Sequence, residues 1–209
     1  MTLPSNRLTL ADWRRQVAEI YTAVRHHPDP AQAWYDFRAR RDALFKRHPQ
    51  SPLSEAQRAR FTSLPYFSYD PAWRVVGTID TNIQQETFTT HLPAEDEFCY
   101  TRIARVHFNV QRTEATLSLY WIEGYSGGLF LPFLDASNGR TTYSGGRYLY
   151  DTIKGADLSR DVNELILDFN YAYNPSYAYN EQWICPLSPA ENRLSVAIVA
   201  GEQVSSLNA

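Results

Sequence analysis

Two runs of alternating apolar and polar residues, at positions 104–110 and 115–121, constrain the fold of this chain more than any other feature. Successive side chains of a β-strand point to opposite faces, so each run predicts a strand with one buried and one wet face. A short polar turn at 112–114 separates the runs and predicts an antiparallel hairpin. The predicted buried positions are Ala104, Val106, Phe108, Val110, Ala115, Leu117, Leu119 and Trp121.

Further strands are predicted along the rest of the chain at 73–80, 84–91, 128–134, 141–150, 163–169 and 194–200. About eight short, closely spaced strands are typical of a barrel or a sandwich. The strands do not alternate with helices, so a parallel sheet is not indicated. The sequence therefore predicts an antiparallel β-barrel or β-sandwich.

The first quarter of the chain has the spacing of helices rather than strands. Apolar residues recur at helical intervals before a break at Pro28. A second helix is predicted to start with Asp29 as its N-cap and Pro30 in its first position. A third is predicted at Ser54, because Gln57 follows three residues later. These patterns predict an α+β fold with helices packed on the β-structure.

The predicted organisation has three parts that form one folded unit. They are an N-terminal helical segment at 1–62, an antiparallel β domain at 63–203 and a flexible tail at 204–209.

Composition narrows the functional classes. The net charge of −3 gives no basic excess for nucleic acid, and no apolar run is long enough to cross a membrane. The N-terminus shows no apolar secretory signal. The two cysteines and five histidines have no metal-ligand spacing, so neither a metal nor a cofactor is predicted. A reduced, cytoplasmic setting is the simplest expectation.

One motif resembles a hydrolase signature. Residues 124–128 read Gly-Tyr-Ser-Gly-Gly and match Gly-x-Ser-x-Gly. In a nucleophile elbow the serine precedes a helix, whereas here an apolar strand pattern follows. We therefore expect Ser126 to lie in a turn between two strands.

Polar residues that could take part in binding or catalysis are concentrated in two segments, 135–151 and 167–192. Arg147 follows Gly145-Gly146, which favours a close backbone approach, and a guanidinium binds carboxylates well. We expect its carboxylate partner to belong to a ligand, to Asp168 or to Glu191.

The second segment contains a strand followed by a long loop. Asp168 and Asn170 are predicted on one strand face, and the loop 171–192 supplies tyrosines and amides. Two interpretations use the same residues: a sealed polar network, or a pocket at a barrel mouth. For the pocket, the candidate catalytic residues are Asp168 and Glu191. The candidate ligand-binding residues are Arg147, Asn170, Tyr173, Tyr143 and Asn192.

The phrases DASNGRTTYSGGRYL, LDFNYAYNP, CPLSPAENRL and AGE, with HPQSPLSEAQRARF and LPYFSYDPAWR upstream, form a long and specific set. With them the chain resembles a bacterial and archaeal family known as domain of unknown function 1684, from about residue 34 to 202. The resemblance implies no established activity, cofactor or catalytic residue. It implies hallmark positions at Asp135, Gly139, Thr142, Tyr143, Gly146, Arg147, Asp168, Asn170, Tyr173, Asn174, Pro175, Ala178, Tyr179, Cys185, Pro186, Glu191, Asn192 and Glu202. Relatives often carry a cysteine where this chain has Tyr177, so a mechanism that needs a thiol pair with Cys185 is in doubt here.

These observations leave three functional classes. The first is a binding or structural domain with a polar small-molecule pocket near Arg147, Asp168 and Glu191, taking a small polar or anionic ligand. The second is an enzyme of hydrolase or isomerase type with a carboxylate general base. The third is a flavin-binding split barrel, which would need a basic phosphate pocket that the sequence does not show clearly.

Overall fold

A computed structural model describes residues 3–92, 95–125, 127–159, 161 and 164–205. The chain begins with two long helices, α1 (Leu3–His26) and α2 (Pro30–Arg47), and a short one, α3 (Glu55–Arg60). Seven strands follow, and they are all antiparallel to their neighbours. They are β1 (Arg74–Asp80), β2 (Glu86–Leu92), β3 (Glu95–Val110), β4 (Thr113–Ile122), β5 (Gly128–Phe133), β6 (Arg147–Asp151) and β7 (Glu164–Asp168).

The strands form one curled sheet in the order β6-β5-β4-β3-β1-β7, and β2 pairs with the first half of β3. The sheet is a half-barrel, and the helices precede it in the chain. The predicted α+β class, with N-terminal helices and an antiparallel barrel-like sheet, is therefore confirmed.

The starts of α2 and α3 follow the predicted capping chemistry. The Asp29 carboxylate accepts hydrogen bonds from the backbone N–H groups of Ala31 and Gln32, and Pro30 takes the first helical position. Ser54 and Gln57 form a reciprocal capping box at α3. Both helix starts are thus determined by local side-chain chemistry.

The β3–β4 hairpin has the predicted pairing, with Val106 opposite Leu117, but one side chain is not where the alternation placed it. Trp121 is 39% exposed, whereas Tyr120 on the other face is fully buried. The register shifts between Arg102 and Ala104, and the segment around Glu191 covers the Tyr120 side of the sheet. The face of the sheet that carries Tyr120 is therefore shielded from solvent near the end of β4.

The predicted strand 194–200 is the main difference from the expected sheet. Ile198 and Ala200 are fully buried, as the pattern implied, but this segment forms no strand. The carbonyl groups of Ile198 and Ala200, and that of Glu202 just beyond the segment, accept hydrogen bonds from the Arg147 side chain instead. Seven described strands result rather than about eight.

The larger of two described hydrophobic clusters joins the helices to the half-barrel. Trp34 and Phe37 of α2 pack in one cluster with side chains of the sheet such as Leu117 and Phe130. The Trp34 indole N–H donates to the backbone carbonyl of Asn170, at 3.1 Å, just beyond β7. The helical layer is therefore attached to the sheet edge at which β7 ends.

No helix in the described ranges is long and apolar enough to span a membrane. Ser126 of the Gly-x-Ser-x-Gly motif lies outside the described residues. The same is true of residues 206–209 within the predicted tail.

Candidate functional site

Arg147 lies at the centre of a sealed polar network. Its side chain and that of Asp135 are both fully buried, and its Nη2 is 2.9 Å from the Asp135 Oδ2 atom. Nη2 also donates to the Ile198 carbonyl, and Nη1 donates to the carbonyls of Ala200 and Glu202. Burial lowers the pKa of Arg147, and the Asp135 charge opposes that effect. The guanidinium is thus enclosed by the protein itself.

The expected carboxylate partners of Arg147 were Asp168, Glu191 or a ligand, and the observed partner is Asp135. The reason is local, because Phe133 of β5 pairs with Arg147 of β6, and Asp135 follows two residues later. Gly146 lies between them with a φ of 88°, and a Cβ atom there would lie 2.6 Å from the Phe133 carbonyl oxygen. Gly146 therefore permits the predicted close approach of the backbone, and the group that it approaches is the carbonyl of Phe133 in β5.

Glu191 belongs to a separate cluster on the face of the sheet. It accepts from Arg102 Nη1 at 2.7 Å and from the Tyr120 hydroxyl, and Arg102 also contacts Glu86. The adjacent Asn192 is fully buried, and its amide bonds both backbone groups of Ser118 and the carbonyl of Pro132. Asn192 thereby connects β4 to β5.

Asp168 and Asn170 do lie together. The Asp168 Oδ1 atom accepts from the Asn170 backbone N–H at 3.1 Å and from its Nδ2 at 2.9 Å. Asn170 also exchanges hydrogen bonds with the backbone of Asp70, through Nδ2 and Oδ1. The side-chain amide of Asn170 is therefore shared between the Asp168 carboxylate and the Asp70 backbone.

Asp168 also lines a cleft of about 340 Å³, which we call the Asp168 cleft. The cleft lies between the end of α1, the turn from α1 to α2, and strands β1 and β7. Its polar lining side chains are Arg25, His27, Tyr69, Arg74, Asp168 and Tyr171.

The carboxylate of Asp168 is unusual in both its contacts and its acidity. Its Oδ2 atom lies 3.9 Å from Arg74 Nε and has no hydrogen-bond donor among the described residues. Burial raises the pKa of Asp168 to about 6, against the opposing effects of the Asn170 hydrogen bonds and the Arg74 charge. The group is therefore mostly ionised at neutral pH and able to accept a proton.

Two tyrosines present hydroxyl groups in the same cleft. Burial raises the pKa values of Tyr69 and Tyr171, and the Asp168 charge adds to the effect, so both phenols keep their protons. In the part of the chain that the structure describes, neither hydroxyl forms a hydrogen bond. The cleft thus contains two unused donors beside one unused acceptor.

The sequence patterns predicted no site role for four of the cleft residues, namely Arg25, His27, Tyr69 and Arg74. Arg74 lies directly opposite Asp168 across the β1–β7 pair. A signal existed for two of them, because LPYFSYDPAWR contains Tyr69 and Arg74, but the strand register that joins them to Asp168 is long-range.

The remaining predicted residues lie elsewhere. Tyr173 lines a second cavity near Arg41, and Tyr143 is partly buried, where burial and then the nearby Tyr177 and Cys185 raise its pKa. Both cysteines, Cys99 and Cys185, are unpaired. Within the described ranges, no group of three or more His, Cys, Asp or Glu side chains is arranged to hold a metal ion.

A family model described as "Protein of unknown function (DUF1684)" matches residues 59–203. The solution NMR structure of an uncharacterised protein from Haloarcula marismortui is similar, with 33% sequence identity and a TM-score of 0.58. That match covers 79% of this chain and 89% of the other. A search of the curated proteins found no match.

Proposed function

The chain belongs to the family described as "Protein of unknown function (DUF1684)", and we propose that it binds a small polar molecule in the Asp168 cleft. The observation that carries the proposal concerns Asp168, which lines a cleft of ligand size: Asn170 holds its Oδ1 atom, and its Oδ2 atom has no hydrogen-bond donor among the described residues. Sites for small molecules are usually clefts of about 300–1,000 Å³ with a few convergent polar groups. A purely structural network would instead seal each of these groups from solvent, as Arg147 and Asp135 are sealed.

The charges of the cleft favour a ligand with an anionic group. Two arginines, Arg25 and Arg74, line it beside the single carboxylate of Asp168. Arg74 is about one-third exposed, and its only described ion pair is the long contact with Asp168. Its guanidinium is therefore available for a ligand carboxylate or phosphate, while Asp168 accepts a hydrogen bond from a ligand hydroxyl or amino group. The ligand-binding roles of Arg147, Asn170, Tyr173, Tyr143 and Asn192 stay predictions, and so does the catalytic role of Glu191.

We expect small hydroxycarboxylates to stabilise the wild-type protein against heat. In a thermal-shift series with acetate, glycolate, lactate and phosphate, a compound at about 100 times its Kd should add about 2.7 kcal/mol. Arg74→Gln and Asp168→Asn should lose the shift, because each removes one of the two polar contacts.

Arg105→Gln is the matched control, because Arg105 is exposed on β3 and does not line the cleft. The control should respond as the wild type does. Equal shifts in all four proteins, or no shift with any compound, would contradict the proposal.

A second candidate function is general-base catalysis by Asp168, of the hydrolase or isomerase type. The specific observation is its pKa of about 6, since a base is most effective when its pKa is close to the working pH. The hydroxyl groups of Tyr69 and Tyr171 would then orient the substrate. In this case, the rate with a substrate found through the ligand series should rise with pH through about 6 and be lost in Asp168→Asn.

We expect Asp168→Asn to stabilise the protein at pH 7 and to have no such effect at pH 4. The folded protein holds the Asp168 proton more tightly than the unfolded chain, so ionisation costs stability as pH rises from about 4 to about 6. Two pKa units correspond to about 2–3 kcal/mol, which asparagine avoids while it keeps the acceptor for Asn170.

Urea unfolding of both proteins across that pH range measures the difference. Glu114→Gln, on an exposed position of β4, controls for the loss of one negative charge. If the difference in unfolding free energy between wild type and Asp168→Asn is the same at every pH, then Asp168 has the same pKa in the folded and unfolded states. That result would contradict the prediction.

A further inference from the structure

A second buried site lies between the helices and the half-barrel, away from the Asp168 cleft. This cavity, which we call the phenol cavity, has a volume of about 50 Å³ and is lined by residues of α1, α2, β6 with the turn after it, and the segment after β7. One water molecule takes about 30 Å³ in the liquid, so the space exceeds that of a single water. The polar lining side chains are Tyr21, Arg41, Tyr148, Lys154, Tyr173 and Asn174.

Four of these residues carry a buried polar atom that lacks a partner among the described residues. The atoms are the hydroxyl oxygens of Tyr21 and Tyr173, Arg41 Nε and Asn174 Oδ1, and all four residues are more than 90% buried. Buried polar groups in natural proteins nearly always have a hydrogen-bond partner. Four exceptions around one cavity indicate an occupant that supplies the missing partners.

The identity of these atoms defines the chemistry of the occupant. Arg41 Nε can only donate, and burial raises the pKa values of Tyr21 and Tyr173, so both phenols keep a proton to donate. The Asn174 Nδ2 group donates to the Gln203 carbonyl at 2.9 Å, which leaves Oδ1 as an acceptor. The cavity therefore offers three donors and one acceptor.

The charged groups near the cavity are already paired. Glu202 accepts from Arg41 at 3.1 Å, from the Tyr179 hydroxyl and from the Asn174 backbone N–H. Asp151 pairs with Lys154 at 3.2 Å, and the Lys154 side chain is 45% exposed. Both carboxylates are thus occupied, while the two cations keep free N–H groups.

We propose that the phenol cavity binds a small planar oxyanion that retains one hydroxyl group, and hydrogencarbonate is the simplest example. Its oxygens accept from the Tyr21 and Tyr173 hydroxyls and from Arg41 Nε. Its own hydroxyl donates to Asn174 Oδ1. Nitrate has the same planar arrangement of oxygens but no hydroxyl, so it leaves Asn174 unsatisfied and binds more weakly.

Hydrogencarbonate is expected to raise the Tm of the wild type by about 5–10 °C at about 100 times its Kd, compared with chloride at equal ionic strength and pH. Nitrate should bind about tenfold more weakly. Tyr21→Phe and Tyr173→Phe should each weaken hydrogencarbonate about tenfold, since each removes one hydrogen bond. Tyr177→Phe, at an exposed tyrosine outside the cavity, should behave as the wild type.

Both cavity variants should fold, because the hydroxyls that they lose form no hydrogen bond with any described residue and the rings stay in place. Broadening of the carbon-13 NMR signal of labelled hydrogencarbonate by the wild-type protein provides a measurement of binding that needs no variant. No broadening and no Tm shift would mean that the cavity holds water alone. Equal shifts with nitrate, or in the Tyr21→Phe/Tyr173→Phe double variant, would mean a general salt effect, and either result overturns the proposal.

Discussion

Arg147→Ala is expected to destabilise the protein by at least about 4 kcal/mol. The substitution leaves the buried Asp135 carboxylate without its counter-charge, which typically costs about 3–5 kcal/mol. It also removes the donor for the carbonyls of Ile198, Ala200 and Glu202, and each buried unsatisfied group adds about 1–3 kcal/mol. Because whole domains are stable by only about 5–15 kcal/mol, much of the variant should be unfolded, as measured by circular dichroism and urea titration.

Two companion variants separate charge from geometry in this network. Arg147→Lys keeps the charge but cannot reach a carboxylate and three carbonyls with one ammonium, so it should lose about half as much stability. The double variant Arg147→Met/Asp135→Leu removes both charges and should be more stable than Arg147→Ala. If Arg147→Ala unfolds at the same urea concentration as the wild type, the network contributes little to the fold.

Glu202→Ala is expected to cost about 3–5 kcal/mol. Glu202 is fully buried and is the carboxylate that pairs with the buried Arg41 of α2, whose pKa is raised despite the opposing effect of burial. The substitution would also leave the Tyr179 hydroxyl and the Asn174 backbone N–H without their hydrogen-bond acceptor. Thermal and urea unfolding of the purified variant measure the loss.

Glu202→Gln is the matched control for this site. It keeps a carbonyl acceptor of nearly the same shape and removes the charge, so its loss should lie between those of wild type and Glu202→Ala. A Glu202→Gln variant as unstable as Glu202→Ala would assign the whole effect to charge. A fully stable Glu202→Ala would contradict the importance of the Arg41 pair.

The parts of the fold that depend on neighbouring residues were predictable from sequence. Helix starts at Pro30 and Glu55 follow from capping side chains within three residues. The β3–β4 hairpin follows from its alternation, because its partners are close in the chain. In each case, the interacting groups are close together in the sequence, so they can meet before any tertiary structure forms.

The parts that were missed depend on tertiary contacts. The burial of Ile198 and Ala200 was visible in the alternation, but their carbonyls bond a side chain instead of a strand, and no periodicity distinguishes the two. The Asp168 cleft requires the register of Arg74 against Asp168, residues that are far apart in sequence. Asp135 was recognisable as a hallmark position, yet only the β5–β6 register turns it toward Arg147.

The short segment 198–202 has a mechanical consequence, because it serves two layers at once. Its backbone carbonyls accept hydrogen bonds from Arg147 of β6, and its Glu202 side chain pairs with Arg41 of α2. Pulling this segment away would remove the counter-charge of Arg41 and three carbonyl acceptors of Arg147 at the same time, so local unfolding of this segment alone is costly. Detachment of the helices from the sheet and loosening of the sheet edge should therefore occur as a single cooperative event.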